Sequence, residues 1–277
     1  LHLRVKPLSW FDIRLAATSA LSRPDYFNLV PWQRIENLES TIEQGNPNIK
    51  HTKVWNYDAY ISFYNRLGLF TLGLFTKTLR DIDYLSQRRA TVNARTYKLT
   101  EPVNSEGETT VKGYELELQT NLKFLPSPLN GIVLYANYSR IDSETFYPFF
   151  DVVRLPPDFR LVTIDTVRAG VMPGQADYIA NLSVGYEKGG FSGRVSLITQ
   201  GESLQFVGTR SELDGYENGF TRWDIALQQE IIRGISFFLN LNNVTDRAEG
   251  AFLGSRSFPT RTEFFGWTGD LGVRYKF

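Results

Sequence analysis

The chain has 277 residues, 42% hydrophobic and 14% aromatic, and its 30 basic and 30 acidic side chains balance to a formal charge of zero. That hydrophobic content excludes wholesale disorder, and the charge balance removes any bulk attraction to nucleic acid. With no cysteine there is neither a disulfide framework nor a thiolate metal site, and no run approaches the roughly 18 to 20 apolar residues of a membrane helix.

In chain order, the segments alternate with a period of two. The opening, LHLRVKPLSWFDIRL, alternates from its first residue and lacks the separate apolar core of a signal peptide, so it reads as starting in mid-structure. In WFDIRLAAT, Phe11, Ile13, Leu15 and Ala17 share one face while Asp12, Arg14 and Thr18 share the other. VWNYDAYISF and FTLGLFTK continue the pattern. In TVKGYELELQTNL, Tyr114, Leu116 and Leu118 oppose Glu115, Glu117 and Gln119. GIVLYANYS follows. In DYIANLSVGYE, Tyr178, Ala180, Leu182, Val184 and Tyr186 oppose Asn181, Ser183, Gly185 and Glu187. FSGRVSL, RWDIALQ, ISFFLNL and the terminal GDLGVRYKF complete a set of about eleven predicted strands.

Their length decides what the apolar face meets. A strand of about eleven residues, at about 3.3 Å rise and tilted about 45°, spans roughly 25 Å, the height of the apolar band on an outer-membrane barrel. Soluble sandwiches manage with strands of about five or six residues. Aromatic residues gather near the strand ends (Trp10, Trp55, Tyr57, Tyr138, Tyr178, Trp223, Trp267), as interfacial girdles require. The predicted fold is therefore an all-β transmembrane antiparallel barrel, apolar face to lipid and polar face to a lumen.

The connections alternate in the same sense. Tight turns fall at Pro7–Ser9, Arg66–Gly68, Pro126–Asn130, Lys188–Gly190 and Ile232–Gly234. Between them lie long segments, near 19–52, 80–108, 143–176, 203–219 and 244–262, expected to be irregular extracellular loops. An odd strand count does not close an antiparallel barrel, and an open edge in lipid leaves N–H and C=O groups unpaired at several kcal/mol each. The chain is thus expected to be either a twelve-stranded barrel or part of a larger one, with the opening favouring the part.

Several stretches resemble the TonB-dependent outer-membrane transporters, specifically the second half of their barrel. SRPDYFNLVP followed by GNPNIKHTKVWNYDAYISFY is similar to the family's Arg-Pro loop and the Gly-Asn-Pro lead-in to the next strand. VKGYELELQ resembles its Val-x-Gly-x-Glu strand, LNLNNVTDR the stretch before its last loop, and GWTGDLGVRYKF its closing strand. Trp267 departs from the arginine common there. The resemblance implies that residues 1–277 are the C-terminal, eleven-stranded part of a 22-stranded barrel in the bacterial outer membrane, with the plug domain and the TonB-contacting segment upstream. It also implies that Tyr275 and Phe277 carry the signal read by the barrel assembly machinery.

Catalytic patterns are thin. His2 and His51 stand far apart, Glu115 and Glu117 read as pore lining rather than a glycosidase pair, and Asn137, Asn181 and Asn243 sit in chance glycosylation triplets. No enzyme, cofactor or metal site is expected. Binding should reside in the loops. Arg23, Asp25, Tyr26, Trp32 and Arg34 suit an anionic chelate or a sugar. Phe146, Tyr147, Phe149, Phe150 and Phe159 either pack among themselves or cap the barrel or stack on a ligand, with self-packing the favoured reading, and Arg256, Phe258 and Arg261 mark the last loop. The expected function is import of a scarce, large solute (a siderophore–iron chelate, a cobalamin-like cofactor or an oligosaccharide) energised through TonB, with bilayer, solute and assembly machinery as partners and no nucleic acid. The alternatives are a passive porin of about twelve strands and a surface adhesin.

Overall fold

The computed structural model describes residues 1–157 and 160–276, with the side chains of 149–155 and 160–165 outside the description. Strands β1 (His2–Leu8) and β2 (Phe11–Ser22) make the first hairpin. The next connection holds one helical turn, α1 (Tyr26–Leu29), and a small hairpin of β3 (Gln33–Glu36) and β4 (Thr41–Gln44). After β5 (Thr52–Tyr64) and β6 (Gly68–Arg80) comes a hairpin of β7 (Asp83–Val92) and β8 (Arg95–Asn104). β9 (Glu108–Asn121) leads to β10 (Ile132–Leu155), 24 residues long, whose far half pairs with β11 (Arg160–Gly170). β12 (Tyr178–Lys188) and β13 (Phe191–Gln200) are followed by the short β14 (Ser203–Phe206) and β15 (Gly215–Glu217). Last come β16 (Phe220–Ile232), β17 (Ile235–Asn242), β18 (Ala248–Leu253), β19 (Pro259–Phe264) and β20 (Thr268–Tyr275).

The long strands pair antiparallel in the order β1-β2-β5-β6-β9-β10-β12-β13-β16-β17-β20, an eleven-strand meander with β11 attached only to β10. Every strand of the sequence reading has its counterpart in this wall. The turns after β1, β5, β9, β12 and β16 all lie on one rim, and the long connections all leave the other. Local chemistry fixes the short turns. The Asn65 side chain accepts from the N–H groups of Leu67 and Gly68 at 2.8 and 3.2 Å. At the β12–β13 turn Gly189 and Gly190 hold φ of 60° and 77°, the pair of left-handed residues a two-residue hairpin needs to match strand twist.

Register carries each strand's apolar residues into continuous rows. Ile61 faces Ile13 and Leu72, Leu118 faces Phe70 and Ala136, Leu182 faces Ala136 and Leu197, and Leu239 faces Leu227 and Leu271. A slip of one residue would turn each row to the opposite side. Leu182, Val184 and Leu271 are 42%, 46% and 84% exposed, with no further layer packed over them among the described residues. Soluble monomers rarely expose contiguous apolar patches beyond a few hundred Å², so a belt across eleven strands is a surface made for a solvent other than water. The opposite face is polar and concave. Arg4 on β1 and Arg194 on β13, seven ladder steps apart, line the same hollow of about 800 Å³. On this face Asp12 is held by Arg4, with Arg14 at 3.5 Å, and the Ser62 and Thr71 hydroxyls meet at 3.1 Å.

One expectation needs correction. The long connections are not irregular. They contain the nine other strands, eight of which build two four-stranded sheets, β3-β4-β8-β7 and β14-β15-β18-β19. Among the described residues the wall has eleven strands, and β1 and β20, its two edges, are not paired with each other.

Candidate functional site

The long connections knit into one cap. The first joins the second where β4 pairs parallel to β8 and the Lys98 N–H donates to Ser40 O at 2.8 Å. The second joins the fourth through Val207, which donates to Leu85 O at 3.1 Å and accepts from the Gln87 N–H at 3.0 Å. The third meets the fourth where Ala176 bridges Ser203 and the Gly174 N–H donates to Leu204 O at 2.7 Å. The fourth joins the fifth where β15 pairs with β18. Beneath these links lies an apolar core of Tyr84, Tyr147, Leu204 and Val207, one or two residues from each of the second, third and fourth connections. The Tyr84 and Tyr147 rings meet edge to face at 4.9 Å, the arrangement aromatic quadrupoles favour. Burial pushes the Tyr84 phenol up to about 12, Glu106 adding to the shift and Arg168 opposing it. Burial raises Tyr147 as well.

One ion pair is taken almost wholly out of water. Arg168 of β11 donates to Asp214 Oδ1 at 2.5 Å, with side chains only 15% and 3% exposed. The same oxygen accepts from the Gly208 N–H at 2.8 Å, and the Arg168 guanidinium lies 5.4 Å from the centre of the Tyr147 ring. Burial raises the Asp214 carboxyl, outweighing the opposing pull of Arg168 and the Gly208 N–H.

The residues anticipated from sequence fall in three places. In the front connection Asp25 caps α1, accepting from the Phe27 N–H at 2.8 Å, and Trp32 packs on Phe27 at 4.6 Å while its indole N–H donates to Phe27 O. Tyr26 is 81% exposed, Arg23 is exposed, and Arg34 pairs with Glu36 at 3.0 Å. In the third connection Phe146 is half-buried, but Tyr147 is fully buried and its hydroxyl donates to Val171 O at 2.6 Å. Tyr147 belongs to the cap's core and offers a ligand no surface. The side chains of Phe149 and Phe150 lie outside the described residues, as does Phe159. In the last connection Phe258 is exposed, Arg256 is bound to Glu202 and Arg261 to Glu217. Among the described residues no hydrogen bond or ion pair joins the front group to the last-loop arginines, which bind Glu202 and Glu217 instead. Tyr275 pairs with Ile235 on β17, and Phe277 lies outside the described residues.

Two hollows open in the cap. One of about 630 Å³ is walled by Arg140, Asp177, Glu202, Tyr216 and Arg256. The other, about 550 Å³, lies between the two small sheets and carries Arg88, Arg89 and Lys98 beside Tyr97, Phe206 and Leu213. Arg88 is bound to Glu101 at 2.7 Å; Arg89 and Lys98 stand directly opposite each other across β7 and β8. Like charges in that position repel, so the cleft presents a positive field. Sequence reasoning missed both these cations and the Arg168–Asp214 pair, because nothing local marks partners that meet only in the fold. Among the described residues no group of three or more His, Cys, Asp or Glu side chains could hold a metal.

A sequence profile described as "TonB dependent receptor-like, beta-barrel" matches residues 1–244. Among solved structures, the siderophore receptor PirA from Acinetobacter baumannii is 12% identical with a TM-score of 0.58, covering 100% of this chain and 40% of its own. The ferric-catecholate import receptor Fiu from K12 E. coli is 14% identical with a TM-score of 0.61, over 100% and 34%. The copper transporter OprC is 14% identical with a TM-score of 0.63, over 100% and 38%. At such identities the likeness is one of fold, and this chain spans well under half of each neighbour. No curated protein matches the sequence.

Proposed function

This chain belongs to the TonB-dependent receptor family, matching its β-barrel, and from that premise we propose that it forms part of the wall and cap of an outer-membrane active transporter. The cargo is a scarce solute too large for porins: a siderophore–iron chelate, a cobalamin-like cofactor or an oligosaccharide. The observation that carries this reading is the pairing of an outward apolar belt with a folded cap above a polar, concave interior. A belt alone would suit any barrel. A cap with a hydrogen-bonded core and a cationic cleft suits a receptor that must grip its cargo before moving it.

On this reading the connections near 19–52, 80–108, 143–176, 203–219 and 244–262 face the cell exterior. First contact falls to the exposed front group, Arg23, Tyr26 and Arg34 with Trp32 behind them, and to Arg256 and Arg261, while Asp25 shapes the front loop. The polar interior, with Arg4, Arg14 and Arg194, faces whatever fills the lumen. Coupling to TonB is assigned to segments outside this chain, and Tyr275 and Phe277 to recognition by the assembly machinery. Against a passive channel stand the neighbouring folds themselves, a siderophore receptor, a ferric-catecholate import receptor and a copper transporter.

The test is accumulation of radiolabelled ferric siderophores and cobalamin in cells carrying or lacking the gene, with and without a protonophore. Uptake that depends on both the gene and the proton gradient is expected. Uptake insensitive to the protonophore, or ion conductance by the purified protein in planar bilayers, would replace the transporter with a pore.

A further inference from the structure

The five long connections are not equal partners in the cap. The fourth, between β13 and β16, touches the second through Val207, the third through Ser203 and Leu204, and the fifth through β15. Within it a single residue reaches three connections at once. The Asp214 carboxylate accepts from Arg168 of the third at 2.5 Å and from the Gly208 N–H of its own at 2.8 Å. Its backbone oxygen accepts from the Gly254 N–H of the fifth at 2.8 Å. Arg168 in turn lies against the face of Tyr147, whose ring meets Tyr84 of the second.

We propose that Asp214 is the keystone of the cap: a positioning residue whose pairing with Arg168 makes the second, third, fourth and fifth connections move as one body. The physical reason is the penalty for breaking a pair held out of water. A buried carboxylate that loses its guanidinium keeps its desolvation cost, so separating the third connection from the fourth is disfavoured far more than parting an exposed pair. The other links in the cap are backbone hydrogen bonds, small apolar contacts and solvent-exposed ion pairs such as Arg256–Glu202 and Arg261–Glu217, which local opening breaks one at a time. Asp214 and Arg168 close the circuit among them. Loops so connected open and shut together, and a solute touching one of them shifts the rest. The inference concerns how the cap moves and stands whichever solute is carried.

Hydrogen–deuterium exchange on the full-length receptor in detergent micelles tests it, comparing wild type with Asp214→Asn, which keeps the shape and one acceptor but removes the charge. Exchange of the backbone amides in 83–104, 166–170, 203–217 and 248–253 is expected to quicken together, by tenfold or more, with the β12–β13 ladder unchanged. Acceleration confined to 208–214 would overturn the keystone. As a second arm, the chain has no cysteine, so Ser86→Cys with Val207→Cys places one disulfide across a bridged pair. In the Asp214→Asn background that cross-link should return 83–104 and 203–217 to within twofold of wild-type rates. If it slows only the residues beside the two cysteines, the connections open independently and the proposal fails.

Discussion

Replacing Leu182 with arginine probes the orientation on which the membrane reading depends. Leu182 lies four residues from Tyr178 and six from Lys188, the ends of β12. At about 3.3 Å per residue and a tilt near 45°, each step climbs about 2.3 Å, which puts Leu182 about 14 Å above the short-turn rim. The apolar band is about 25 Å tall, so the side chain stands within about 2 Å of its midplane. Its lateral neighbours, Ala136 and Leu197, belong to the same outward row and supply no counter-charge. An arginine on the lipid face at that depth costs about 2–4 kcal/mol, or roughly 30-fold to 1,000-fold in the folding equilibrium, at tenfold per about 1.4 kcal/mol. Ser139→Arg is the control. It lies on the inward face about 7 Å nearer the long-connection rim, directly opposite Glu115, and should change stability by less than about 1 kcal/mol. The assay is reversible urea unfolding of the receptor in lipid vesicles, followed by tryptophan fluorescence. Equal losses for the two variants, or a larger loss for Ser139→Arg, would refute the assignment of the outward row to lipid.

Three further outcomes follow from the geometry. Tyr84, pushed by burial from the usual 10.0 up to about 12, should ionise later than exposed tyrosines. Because its folded value lies above the unfolded one, its contribution to cap stability is complete below about pH 10 and is lost as pH rises through about 12; a tyrosinate absorbance titration should lose this late step in Tyr84→Phe and in no variant of an exposed tyrosine. Asp12→Ala removes the carboxylate shared by Arg4 and Arg14 and leaves two half-exposed cations facing each other; a loss of about 1–3 kcal/mol is expected, reduced from the fully buried case by solvent screening, read by the same urea unfolding. Alanine at both Tyr26 and Arg34 should weaken solute binding about tenfold while leaving thermal stability unchanged, since both side chains stand in solvent; surface plasmon resonance with the identified solute checks the first and calorimetry the second.

The wall was legible in the sequence because its strands answer to two solvents. Leu116 and Leu118 meet one environment and Glu115 and Glu117 the other, so the period of two is written by burial alone and needs no knowledge of neighbours. The cap strands carry no such mark. QRIE, SLQF and GYE are three or four residues long: QRIE pairs with β4 and SLQF with β15 inside their own connections, while GYE also takes a partner, β18, from another, so the small sheets form only where the connections meet. The same holds for the site. Arg168 and Asp214 are separated by 46 positions, and neither stands in a local pattern that announces the other. Tyr147 shows where the sequence left two readings open, packing within the loop or contact with a ligand, and the fold takes the first. Its aromatic, proline-rich surroundings allowed both; the cap needed a large ring with a hydroxyl that could reach Val171 O, and used it as filling.

The longest strand has a mechanical consequence. β10 continues without a break for 24 residues, a contour of about 80 Å at about 3.3 Å per residue, roughly twice the 35 Å or so of strand that a band about 25 Å tall takes up at a tilt near 45°. Its lower half is laced to β9 and β12 and its upper half to β11. A pull applied at the tip therefore runs lengthwise along a hydrogen-bond ladder, so that many bonds share the load instead of parting one after another. Whatever seizes the tip of this mast tugs directly on the wall beneath it.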